Sequence, residues 1–231
     1  MKSAARIDDG GSLVDLAVRR VRDHIRDCDL KVGDTLPGEG QFATELGVSR
    51  AVMREAFGAL AALRLIDVAN GRRARVGAID GSVMGTSLDH AVATAQVSVA
   101  EVWEVRRTLE LRTAELAARH RSDDDAAAIT AAAAAMANAA DIGEVTHHDI
   151  VFHQAIARAS GNMLFLQIVR SFEPLMTVAV PLAWRTRAAE IARSEVLQRH
   201  HDIATSIADR DADGAAALMV AHFDESIGSV L

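Results

Sequence analysis

Leu46-Gly47-Val48-Ser49-Arg50 is the stretch that most limits what this chain can fold into, because it stops one helix and starts another within three residues. Gly47 sits where the first helix must end and the chain must turn, a position suited to a residue that tolerates positive φ. Ser49 is a good N-cap for the second helix. From there Val48, Val52, Ala56 and Leu60 recur at helical spacing and predict a buried face. Arg50 and Arg54 are four apart, so their guanidinium groups project together from the opposite face. A short helix with two arginines near its N-terminus suits the major groove of DNA, where arginine bonds bidentately to guanine edges. An amphipathic helix with a solvated charged face explains the segment equally well taken alone, and its neighbours decide between the two.

Upstream, Pro37 and Glu39 mark a helix start, and Phe42 and Leu46 face inward from that helix at i, i+4. Downstream, the apolar stripe continues through Leu60, Leu63, Leu65 and Ile66. Ile66-Asp67-Val68-Ala69 and Arg75-Val76-Gly77 then flank Asn70-Gly71, which predicts a hairpin with Arg72, Arg73 and Arg75 at its tip. Helix, turn, helix and basic hairpin describe a winged helix-turn-helix. Its candidate DNA contacts are Ser49, Arg50, Arg54, Arg72 and Arg73.

The run Gly33, Leu36-Pro37, Glu39, Ala43, Val48-Ser49-Arg50, Arg54-Glu55-Ala56, Leu60, Leu65-Ile66 and Val76 resembles the DNA-binding domain of the GntR family of bacterial transcription regulators. Two positions depart from it. The family usually has arginine after the glutamate of the first motif helix, where this chain has Gly40, and glycine at the end of the wing tip, where it has Arg73.

At 231 residues, one or two domains are expected. Cys28 is the only cysteine, so no disulfide forms within the chain, in keeping with a reducing cytoplasm. The N-terminus has no apolar signal-like segment, and no uncharged apolar run approaches the ~20 residues of a membrane span. The net charge of −7 argues against a basic coat for nucleic acid. Its distribution is uneven: residues 1–78 hold 13 Lys/Arg and 11 Asp/Glu, and residues 79–231 hold 12 and 21. The two parts should therefore face different partners.

Ser12 to Cys28 reads as a first helix with Leu13, Leu16, Ala17, Val21 and Ile25 on one face and solvated arginines on the other. Residues 79–95, rich in glycine and serine, read as a linker between a DNA-binding domain over 1–78 and an all-helical domain over 96–231. The expected class is mainly α, with six helices in the second domain at about 97–120, 123–140, 144–160, 162–182, 186–209 and 211–229.

Eight of the nine histidines fall after residue 79. Asp149 and His153, at i, i+4, project from one helix face. His200 and His222 are each 11 residues from Asp211, near the turn between the last two helices. In an antiparallel pair this puts both ~16 Å from the turn, at the same height. His200 is in phase with Val196, Ile203 and Ile207, and His222 with Leu218 and Met219, so both face inward. Inward imidazoles beside an inward carboxylate call for a cation or a hydrogen-bond network. A core hydrogen-bond role suits any one of these histidines; four residues agreeing in phase and height point to a divalent metal held by Asp149, His153, His200 and His222. His147, His148 and His201 are out of phase and read as surface residues or outer supports.

Asp149-Ile-Val-Phe-His153, His200 with Ile203 and Ile207, and His222 resemble the metal ligands of the FCD domain, the helical effector domain of a large GntR subfamily. Glu104-Val105-Arg106 and Glu110 resemble its first-helix motif, and Gly161-Asn162 its mid-domain turn. Six helices rather than seven resemble its vanillate-regulator branch. The resemblance implies a homodimeric, ligand-responsive regulator that binds a palindromic operator, a repressor by expectation. Three imidazoles and a carboxylate suit zinc, with nickel or another transition ion as substitutes. A small organic acid or sugar acid is the expected effector, with Arg106 as its carboxylate clamp and Asn162 as a second contact. The rival reading is a hydrolase using a metal-bound water, but no general base stands in register beyond the ligands, and a winged helix has no place in a simple hydrolase.

Overall fold

Serine and aspartate caps set most of the helix starts. The computed structural model describes residues 12–186 and 190–227, in two units, Met1–Val83 and Met84–Leu231. The first eleven residues, the expected helix start at 187–189 and the expected helix end at 228–229 lie outside the described residues.

In the first unit, α1 (Leu13–Asp27) begins at a capping box: the Ser12 side chain accepts from the Asp15 N–H and the Asp15 side chain accepts from the Ser12 N–H. α2 (Glu39–Leu46) ends at Gly47 with φ 67°, the left-handed conformation the turn requires. α3 (Arg50–Ala62) starts at Ser49, whose hydroxyl accepts from Val52 N–H. Two short strands come next, β1 (Ile66–Asp67) and β2 (Arg75–Val76), antiparallel with Ile66 opposite Val76. Thr35 bridges to Arg75 and extends this small sheet. The hairpin is wider than a two-residue Asn-Gly turn, since residues 68–74 all lie in the loop. Gly77 is needed at its root: a Cβ there would stand 2.4 Å from the Arg64 carbonyl oxygen.

The buried face of α3 is Met53, Ala56, Phe57 and Leu60, rotated from the expected stripe; Val48 and Val52 are only half-buried. The larger side chains win the interior. Phe57 meets Phe42 of α2 edge to face at 6.0 Å, and both join a core with Ala17, Val21, Leu36 and Ile66. The rotation leaves Arg50 and Arg54 exposed.

In the second unit the expected linker contains a helix, α4 (Ser82–Ala93). Gly85 explains it: a Cβ there would stand 3.0 Å from the Ser171 carbonyl, so the missing side chain lets α4 lie close, and Leu88 and Val92 add to the core. Then come α5 (Val99–His120), α6 (Asp123–Ala137), α7 (Ile142–Ala159), α8 (Met163–Ser171), α9 (Glu173–Thr186), α10 (Glu190–Ala208) and α11 (Ala212–Ile227). The single helix expected at 162–182 is thus two, bent by 57°. Pro174 lacks an N–H and clashes with the preceding turn, so the helix breaks before it. The count of six, on which the likeness to the vanillate-regulator branch rested, does not hold among the described residues. The alanine-rich α6 buries Ile129, Ala132, Ala133 and Met136; methyl-sized side chains let its neighbours approach closely. No single described helix is long and apolar enough to cross a membrane.

Candidate metal centre and DNA-reading face

Four helices of the second unit turn polar side chains into one interior point. Arg106 and Glu110 come from α5, Asp149 and His153 from α7, His200 from α10 and His222 from α11, and all six are buried. His153, His200 and His222 each offer a ring nitrogen within 4.8 Å of the others. The rings of His200 and His222 are 4.6 Å apart, as the equal distances from the α10–α11 turn require. Asp149 Oδ1 stands 3.2 Å from His200 Nε2 and 3.9 Å from His153 Nε2. His201, the neighbour in sequence, is exposed.

The hydrogen bonds assign the ring nitrogens. His200 Nδ1 is 2.8 Å from the Val196 carbonyl oxygen. A carbonyl only accepts, so Nδ1 carries the proton and the neutral ring presents a bare Nε2. That lone pair faces the Asp149 oxygen. Two acceptors at 3.2 Å repel unless a proton or a cation lies between them. His153 repeats the pattern: Nδ1 meets Glu110 Oε2, which leaves Nε2 turned toward Asp149. A carboxylate behind an imidazole fixes its tautomer and raises its basicity as a ligand. Glu110 is in turn held by Arg106, whose Nε donates to Oε1 at 2.7 Å.

Burial opposes charge on Asp149, but the close contact with His200 and the nearby imidazoles outweigh it and hold its carboxyl well below the usual carboxylate range. Burial likewise opposes charge on Glu110, and Arg106 followed by His153 overcomes it and lowers its pKa. Burial pushes His222 well below its ordinary value of 6.5; His200 and His153 push the same way, against Asp149. A neutral His222 and two further ring nitrogens aimed at the same point, beside ionised carboxylates, make a donor set that fits a divalent transition ion.

These shifts make stability depend on pH. An imidazole with a lowered folded pKa binds its proton more readily when unfolded, so it disfavours the fold once pH drops below 6.5. Asp149, also lowered, contributes stability above the ordinary carboxylate value of 3.8 and loses it as pH falls further. The metal-free protein is expected to melt at progressively lower temperature from about pH 6.5 downward, which a thermal-melt series in chelator measures. A melting temperature flat between pH 7 and 5 would contradict the buried neutral assignment of His222.

Asp149, His153, His200 and His222, with Trp103, Val145, Val180 and Trp184, line a cavity of about 40 Å³. That is room for an ion and a water or two, since one water needs about 10–15 Å³. Arg106 lines it too, but not as the free clamp expected from the sequence. Its Nε is committed to Glu110, its Nη1 touches the Met176 sulfur, and its guanidinium lies 5.1 Å from the Trp103 ring and 5.3 Å from that of Phe223. Asn162 is not in the cavity wall. It is exposed at the start of α8, where its side chain accepts from Leu164 N–H as an N-cap. Sequence reasoning missed the role of Glu110; the Arg106–Glu110 spacing of i, i+4 was the available signal.

On the first unit, Ser49 is occupied as the cap of α3, while Arg50 and Arg54 are exposed at its first two turns. Arg54 Nε is 3.7 Å from Glu39, an open ion pair worth little in water and easily exchanged for a DNA partner. A Cβ on Gly40 would stand 3.7 Å from Arg50 Nε, an ordinary contact, so the packing does not require glycine there. Arg72 and Arg73 are exposed in the loop between β1 and β2.

Residues 13–76 match the bacterial regulatory proteins of the gntR family, and residues 101–225, more than half the chain, match the FCD domain. The chain belongs to the GntR family. Among its GntR relatives, the Glc operon transcriptional activator of Escherichia coli K12 is 30% identical over 73% of this chain and 69% of its own length. The galactonate operon transcriptional repressor of the same strain is 28% identical over 79% and 81%. A GntR protein of Streptococcus agalactiae has the same fold, with a TM-score of 0.66 at 23% identity over 92% of this chain and 97% of that one. These relatives are regulators, and the chain is a metabolite-responsive transcription regulator rather than an enzyme; nothing in them supports the hydrolase alternative.

Proposed function

We propose that this regulator is a cytoplasmic homodimer that represses by holding a palindromic operator. In this reading residues 1–78 read the DNA, and the domain over 96–231 holds a divalent ion, zinc by preference, and a small organic-acid or sugar-acid effector. The observation that carries the metal half is the pair of facing acceptors, His200 Nε2 and Asp149 Oδ1, with His153 and His222 beside them. A relative that represses a galactonate operon supports a sugar acid as the ligand class and repression as the sign.

The ion would polarise and anchor the effector's carboxylate. Asp149 and the three imidazoles would hold the ion; Glu110 would keep the Nε2 of His153 directed inward; Arg106 would add positive potential from the cavity wall. At about 40 Å³ the cavity admits no sugar acid as it stands, so binding would displace Val180, Ala183 and Trp184 on the C-terminal half of α9, which also carries Pro181. An effector that favours one arrangement of that wall can bias the dimer between two states. The deciding experiment is a thermal-shift screen of small organic and sugar acids, with and without chelator. Stabilisation that survives full metal removal would exclude the metal as the effector's anchor.

For the DNA half, Arg50→Ala and Arg54→Ala should each weaken operator binding by ~1–3 kcal/mol without loss of fold, and relax preference at one base position. Arg72→Ala and Arg73→Ala should weaken all sequences alike and flatten the salt dependence, as loss of phosphate contacts does. An Arg50 variant with wild-type affinity would remove that side chain from base reading. Two chains should bind each operator; a stoichiometry of one would contradict the dimer.

A further inference from the structure

The walls of the histidine-lined cavity show where it opens. Val180 and Trp184 of α9 and Val196 of α10 are half-buried, and the rest of its lining is buried. The mouth therefore lies between α9 and α10. These helices rest on different supports: α9 packs on α7 and α8, and α10 on α5, α6 and α11. Trp184 stands at the mouth as part of the cavity wall. Arg193 of α10 lies over its ring, with the guanidinium carbon 5.6 Å from the ring centroid. Arg193 is exposed and precedes Val196 by three residues and His200 by seven. It therefore shares their helix face, roughly 10 Å from His200 along the axis.

We propose that Trp184 and Arg193 form a gate on this cavity: the guanidinium holds the indole across the mouth, and release of that contact gives solutes access to the histidines. At about 40 Å³ the interior admits nothing beyond an ion and a water or two unless this wall moves. A cation–π contact at an exposed site is weak, so losing it changes the open fraction by about two- to fivefold without melting the domain. Pro181, one turn before Trp184, is the hinge. It lacks the N–H that would donate to the Thr177 carbonyl, so the turn bearing the indole is held by one backbone bond fewer. What the gate admits, an ion and then an effector, rests on the function proposed above; the gate itself is a property of the metal-free chain.

The test treats the metal-free full chain with diethylpyrocarbonate at pH 8 and reads the carbethoxylation rate of each histidine by mass spectrometry. His201, exposed and next in sequence to the buried His200, is the internal control. His200 of the parent should react at least tenfold more slowly than His201. Arg193→Gln should speed His200 about two- to fivefold, and Trp184→Ala at least tenfold, with His201 unchanged in both. Arg193→Lys, which keeps a cation over the ring, should stay within twofold of the parent. Pro181→Ala, which restores the missing N–H, should slow His200 at least twofold.

Equal His200 rates in the parent, Arg193→Gln and Trp184→Ala overturn the gate. Equal acceleration by Arg193→Gln and Arg193→Lys overturns the cation as its latch, and an unchanged rate in Pro181→Ala overturns the hinge. The Arg193 variants change only an exposed side chain, so they decide the matter even where Trp184→Ala fails to fold. With zinc, a gate alters the path and not the end states. Arg193→Gln should therefore speed zinc uptake and zinc release by the same factor and leave zinc affinity within twofold. Weaker zinc binding with unchanged uptake would make Arg193 a support of the ion and overturn the gate. A chain that takes up no zinc while its His200 labelling follows the expected order overturns the metal reading and leaves the gate standing.

Discussion

His200→Ala is expected to abolish stoichiometric metal binding, while His201→Ala leaves it intact. The two positions are adjacent in sequence and differ in everything the metal requires. His200 is buried, with Nδ1 fixed by the Val196 carbonyl and Nε2 facing Asp149; His201 is exposed. Loss of an outer support such as Glu110 typically lowers metal affinity about 10–100-fold. Loss of His200 or His222 themselves should cost more than that, and effector affinity should fall in parallel. Operator binding without effector should survive, since the arginines proposed to read DNA belong to the other unit. The imidazoles must be neutral to bind the ion, so affinity should fall steeply below about pH 6. Elemental analysis of the purified variants decides the matter: full occupancy in His200→Ala, or loss in His201→Ala alone, would mean that the ligand set is wrong.

Arg106→Ala is expected to have the largest effect on stability. Arg106 and Glu110 are almost wholly buried, with side chains 4% and 1% exposed. Removing one member of a buried pair leaves the other uncompensated and costs about 3–5 kcal/mol. The double variant Arg106→Met, Glu110→Gln should recover much of that stability, because it removes both charges while keeping volume. It should still bind metal more weakly than the parent, since His153 loses the carboxylate behind it. Urea denaturation of the metal-free proteins measures the first effect and zinc titration the second. A double variant no more stable than Arg106→Ala would show that packing of the guanidinium against Trp103 and Phe223, rather than charge, is what matters.

Much of the fold and of the buried histidine cluster is legible in the sequence, for identifiable reasons. The turn at Gly47 and the cap at Ser49 are local signals, and local signals carry their own geometry. The interior phases of His200 and His222 come from helical periodicity plus a common distance to one turn. The features that escape the sequence depend on partners far away along the chain. Phe57 and Met53 displace Val48 and Val52 from the core of the first unit because Phe42 stands opposite. The helix at 82–93 reads as a linker because its glycine and serine look flexible until Ser171 is seen against Gly85. Arg106 reads as a clamp for a ligand, although its nearest carboxylate is one turn further along its own helix.

The buried charges of the second unit have a further consequence for what the effector can be. Arg106 offsets Glu110, Asp149 stays ionised, and imidazoles that ligate a metal do so in their neutral form, so the donor set carries one negative charge in excess. A divalent ion reverses the imbalance to one positive charge. Uncompensated charge is costly away from water, so the ion-loaded interior is best completed by a guest carrying one negative charge. Monoanions such as aldonates should therefore outcompete dicarboxylates of the same size, and neutral sugars should be rejected. The selection would come from electroneutrality of the interior as much as from the shape of its wall.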